Sequence, residues 1–103
     1  MTRYLISFDD GWMTFPDEDP PDVAKAAHDV VEEAQEAGTW VFGGGLKSQQ
    51  ASVGPYPETK EVIGGFAVVD VPSRVEALEW ASRFAVACRC TQELRELLPD
   101  PTA

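Results

Sequence analysis

Two segments of this chain carry apolar side chains on both of the faces that a β-strand presents. In residues 3–8 (Arg-Tyr-Leu-Ile-Ser-Phe), Tyr4, Ile6 and Phe8 share one face while Leu5 lies on the other. In residues 62–71, Phe66, Ala67, Val68, Val69 and Val71 occupy both parities. Successive strand side chains point to opposite faces, so a sheet with one wet face should alternate apolar with polar. These two segments do not alternate. Whatever packs on the first face, the second face must also be covered.

The chain offers two helices for that work. Residues 22–37 place Val23, Ala26, Ala27, Val30, Val31, Ala34 and Ala37 in one stripe at helical spacing, with Asp29, Glu32, Glu33 and Glu36 mostly outside it. Asp19 ahead of Pro20, or Asp22 slightly later, caps its start, and Gly38 suits a left-handed stop. The second helix, residues 74–86, is expected to bury Ala77, Leu78, Trp80, Ala81, Phe84 and Ala85, and Ser73 with Glu76 has capping-box spacing. Between the helices, Thr39-Trp40-Val41-Phe42 reads as a short buried strand and Asp70-Val71-Pro72 closes the 62–71 strand. Residues 46–60 are turn-rich, with a minor ribbon around 51–53. The tail, 92–98, has helix propensity but also fits an edge strand, which would complete a β-α-β-β-α-β order. The fold class is therefore α+β, a ferredoxin-like sandwich, with residues 1–103 as one domain. Two helices cover only one face of its sheet, so the expected partner is a second copy, a homodimer through the open sheet face.

Charge narrows the other partners. The 103 residues hold 18 acidic and 8 basic side chains, a formal net charge of −10. That balance repels phosphates and anionic lipid surfaces, so neither nucleic acid nor membrane is expected. No apolar run approaches the ~18 residues of a transmembrane helix. The first residues enter a strand pattern at once rather than a signal peptide, and two cysteines two residues apart make no structural staple. Together these predict a cytoplasmic protein with reduced thiols.

Motifs for cofactor chemistry do not assemble. The carboxylates between Asp9 and Asp22 lack calcium-loop spacing, and Cys88-x-Cys90 has no second pair to close a zinc site. No helix opens after Gly43-Gly44-Gly45 to receive a phosphate, so close backbone packing or a bulge explains the glycines better. No metal and no cofactor are expected. Trp12 and Trp40 are the aromatics that could wall a ligand cleft.

The stretch Val53-Gly54-Pro55-Tyr56-Pro57-Glu58-Thr59-Lys60-Glu61-Val62-Ile63-Gly64-Gly65-Phe66 resembles the signature of the YCII-related family, in its DGPF subgroup. Val53 stands where that subgroup has aspartate, and Tyr56 where it has phenylalanine. The resemblance extends through Asp70-Val71-Pro72, Glu76–Ala81 and Gln92–Glu96, and earlier through Trp12 and Gly38…Gly43-Gly44-Gly45-Leu46. It implies a ferredoxin-like domain that pairs through its sheet as a dimeric α+β barrel. It also implies a cleft between sheet and helices, lined in part by the Gly-Pro-aromatic loop.

Some relatives are thought to use a histidine–aspartate pair, and that pair does not transfer. Counting back the family's offset from the terminating Gly38 lands on Ala27, and one residue further on, at His28, is about 100° of helix rotation away. Residues 43–53 contain no acid to serve as the aspartate. His28 is thus expected on the solvated side of the first helix. Two functions remain. One is binding or transformation of a small molecule near the GPYPETKE loop, with Trp12, Trp40, Tyr56, Glu58, Thr59 and Lys60 as ligand contacts. The other is a non-catalytic dimeric protein-interaction module, an accessory in transcriptional regulation.

Overall fold

A computed structural model of the chain describes residues 1–9, 20–47, 50–55 and 62–99, the side chains of Pro20 and Pro21 excepted. Its elements run β1 (Thr2–Asp9), α1 (Pro20–Glu36), β2 (Trp40–Gly45), β3 (Ile63–Val71), α2 (Arg74–Cys88) and β4 (Glu93–Glu96). The four strands form one antiparallel sheet in the order β2-β3-β1-β4. This is the ferredoxin-like arrangement, and the tail is its edge strand rather than a helix. Pairing to β1 decides the tail: Leu94 lies opposite Ile6 and packs on the core, and the Leu97 N–H donates to the Arg3 carbonyl at 3.0 Å.

One face of the sheet meets both helices. Tyr4 and Ile6 of β1 and Ala67, Val69 and Val71 of β3 form a buried cluster with Val30 and Ala34 of α1 and Ala77, Trp80, Ala81, Phe84 and Ala87 of α2. Register keeps these strand residues on one side: Tyr4 pairs with Val69 and Ile6 with Ala67. Gly38 ends α1 at φ +75°, a backbone conformation that costs glycine nothing. Ser73 caps α2 by accepting from the Glu76 N–H at 3.3 Å.

Four expectations need correction. β2 is an exposed edge strand, not a buried one: Phe42 is 64% exposed and Val41 is open to solvent. It also runs on through Gly43–Gly45, because a bulge at Val41 keeps the glycines paired with Gly65, Phe66 and Ala67. Moreover, α2 rotates slightly from the expected stripe and runs two residues further. Leu78 is 44% exposed while Ala87 and Cys88 are buried. The bland Ala-rich sequence of α2 leaves its rotation to be set by Trp80 and Phe84, the two bulky side chains that must go inside. No strand forms at residues 51–53.

The second sheet face carries Leu5, Phe66 and Val68, all half-buried, with the Phe42 ring 5.6 Å from that of Phe66. Charged pairs flank this apolar strip. Arg3 Nε lies 3.9 Å from Asp70 Oδ2, and Arg95 Nη2 donates to Glu93 Oε2 at 3.2 Å. The other oxygen of Asp70, Oδ1, is buried with no hydrogen-bond partner among the described residues.

Candidate functional site

A helix lying on a sheet leaves a gap that side chains normally fill at near-crystalline density. At one end of this sandwich the facing residues are too small to do so. Ala24 and Ala27 of α1 look across at Gly43, Gly44 and Gly45 of β2 and Ala67 of β3. The space between them is a cleft of about 430 Å³. Its walls are Phe8, Val23, Val31, Trp40 and Phe84, with Cys88 and Gln92 at the α2 end and His28 at the rim.

Local packing fixes the aromatic walls. A Cβ at Gly43 would lie 2.8 Å from the Trp40 indole and 2.5 Å from the Phe66 carbonyl oxygen, so the bare glycine is what lets the indole lie against β2. Trp40 stands 6.4 Å from Phe84, tilted by 38°. Gly65 does the same for Phe8, whose ring edge would be 2.7 Å from a Cβ there. Gly45 has open space on the cleft side, nothing lying within 4 Å of an added Cβ, and Gly44, opposite Phe66, has the same freedom on the other face of the sheet. Toward the cleft, the triple glycine thus serves close packing at its first residue and openness at its last.

The polar groups of the cleft are few. Burial, and after it the charge of Cys90, pushes the Cys88 thiol from the ordinary 9.0 up to about 11, so it is a protonated, non-nucleophilic sulfur at neutral pH. Burial also raises Cys90, against the opposing effect of Gln92, whose Nε2 donates to the Cys90 sulfur at 3.4 Å. Both cysteines are free thiols. Among the described residues, no three His, Cys, Asp or Glu side chains gather as a metal site, and no helix is long and apolar enough to cross a membrane.

Of the six expected ligand contacts, Trp40 lies in the cleft wall. Trp12, Tyr56, Glu58, Thr59 and Lys60 lie outside the described residues, as do most of the acidic 9–22 loop and its Asp17, Glu18 and Asp19. Gly54 and Pro55 of the signature are exposed. His28 is exposed, as its position off the helix stripe predicts, yet it borders the cleft. The sequence signal for that was Ala24, one turn earlier on the same side. An alanine among polar residues at the edge of a stripe marks the stripe's true width.

Fold and cleft together define a class: a ferredoxin-like α+β domain with an apolar, ligand-sized space between its sheet and first helix. Within that class the chain belongs to the YCII-related domain family, whose family model matches residues 13–98. No curated protein matches it.

Proposed function

We propose that this YCII-like protein binds a small molecule in the cleft between sheet and α1, as a homodimer joined through its open sheet face. The observation that carries the ligand reading is the pairing of Ala24 and Ala27 with the β2 glycines, which leaves about 430 Å³ beside Trp40. That volume falls within the ~300–1,000 Å³ of pockets that hold small ligands. The GPYPETKE stretch supports a place in the DGPF subgroup and offers Tyr56, Glu58, Thr59 and Lys60 as polar contacts, with Trp12 as a further wall. The apolar strip of Leu5, Phe66, Val68 and Phe42, flanked by charged pairs, supports the dimer.

A thermal-shift screen of small aromatic and carboxylic compounds tests the ligand reading. At least one compound should raise the melting temperature of the native protein and fail to do so for Ala27→Phe, which fills the cleft. Lys60→Ala or Glu58→Gln should weaken the same effect. A screen in which no compound binds, while a protein partner co-purifies, overturns it. That outcome would favour the second reading, a non-catalytic dimeric module working as an accessory in transcriptional regulation. One observation favours this reading: Val75, Leu78 and Val86 form an outward stripe on α2, 65%, 44% and 80% exposed.

A further inference from the structure

The cleft's lining is selective in its chemistry. Ile6, Phe8, Val23, Val31, Trp40 and Phe84 present hydrocarbon, and the Cys88 thiol adds a soft, uncharged surface at one end. Among the described residues that line it, His28 alone can carry a charge, and it sits at the exposed rim. No lysine or arginine lines it among the described residues.

An ionised carboxylate or phosphate brought into such a space would lose its water without gaining a partner, which is costly. The surroundings make the cost larger. α1, which forms one wall, carries Asp22, Asp29, Glu32, Glu33 and Glu36 against Lys25, which pairs with Asp29, while Arg83 of α2 pairs with Glu33; the chain as a whole stands at −10. Lys60 does not reverse that balance, because its neighbours Glu58 and Glu61 leave the 58–61 stretch with one positive and two negative side chains.

Resting on the ligand-binding reading above, we infer that the cleft takes a neutral, mostly apolar molecule of one or two rings, with at most one uncharged polar group, which His28 meets at the rim. The bare backbone at Gly45 and the indole of Trp40, which lies over Gly43, suit a planar ring, since both present broad surfaces.

Titration calorimetry with two probes on one ring system tests this: 2-naphthol, uncharged at pH 7, against 2-naphthoate, an anion. The neutral probe should bind at least about tenfold more tightly. Its binding should disappear in Ala27→Phe and in Gly45→Val, the second variant guarding against a folding failure of the first. His28→Ala should weaken 2-naphthol but leave naphthalene unchanged. Tighter or equal binding of 2-naphthoate, abolished by Ala27→Phe, would overturn the neutral-ligand inference while leaving the cleft a ligand site. Binding of 2-naphthol that survives both filled variants would place it elsewhere and overturn the inference too. If neither probe binds at millimolar concentration the inference fails, and the broader screen then decides the ligand reading itself.

Discussion

A methyl group added at Gly43 would press on the Phe66 carbonyl oxygen and the Trp40 indole, one of them rigid backbone. One added at Gly44 meets nothing within 4 Å. Gly43→Ala is therefore expected to destabilise by about 1–3 kcal/mol through overpacking, and to shift the emission of Trp40. Gly44→Ala is expected to be neutral or to stabilise by up to about 1 kcal/mol, through the lost freedom of the unfolded chain. Chemical denaturation of the two variants side by side measures the difference. Cys88 gives a second prediction at this scale. Its folded-state pKa of about 11 lies above the ordinary 9.0, so the thiol is protonated in both states below pH 9 and its contribution is intact there. Between about 9 and 11 the unfolded chain loses the proton first, and stability falls as pH rises. Thermal melts across that window should show the fall, and Cys88→Ala should flatten it.

Among the elements, α2 shows what can and cannot be read from a sequence. Its start is legible because Ser73 and Glu76 stand at capping spacing, and the Ser73 hydroxyl does accept from the Glu76 N–H. Ser73→Ala should cost about 1 kcal/mol, visible as a lower urea midpoint with an unchanged slope. Its end was less legible. The helix passes Ala85 and stops at Cys88 with Arg89 left-handed at φ 56°, a place where glycine is the usual marker. The tail was legible only through topology. Gln92–Leu98 has the composition of a helix, and cross-strand pairing of Leu94 with Ile6 outweighs that preference. β2 was misread because a run such as Trp-Val-Phe signals burial by composition. Which strand sits at the edge is settled by partners far away in sequence. The cleft was partly legible in the same way. The resemblance and Trp40 pointed to a space between sheet and helices, but its location required knowing that Ala24 and Ala27 face Gly43–Gly45 across the layers.

For the molecule as a whole, the distribution of charge bears on the proposed pairing. A chain at −10 resists meeting its own copy, unless the meeting surfaces are locally balanced. On the open sheet face, Arg3 and Arg95 answer Asp70 and Glu93, while the acids of α1 lie on the other side of the sheet. The dimer should therefore form at moderate ionic strength and tighten as salt screens the remaining repulsion. Light scattering at micromolar concentration should report about twice the chain mass of 11.3 kDa. Phe42→Asp, at a position 64% exposed and so tolerant of change within one subunit, should halve that mass with the circular dichroism spectrum unchanged. A native mass near 11.3 kDa would reject the pairing.

The strand order β2-β3-β1-β4 also sets a timetable for the chain's own assembly. β1 comes first of the four strands of this sheet, yet both of its sheet neighbours lie far along the chain: Thr2 waits for Val71, and Ser7 waits for Glu93. Closing such long loops early is entropically unfavourable. On a ribosome β1 must therefore remain without a strand partner while α1 and β2 emerge, until β3 is made. Its apolar residues lack strand neighbours throughout that interval, which makes residues 2–9 a segment that a chaperone would have reason to hold.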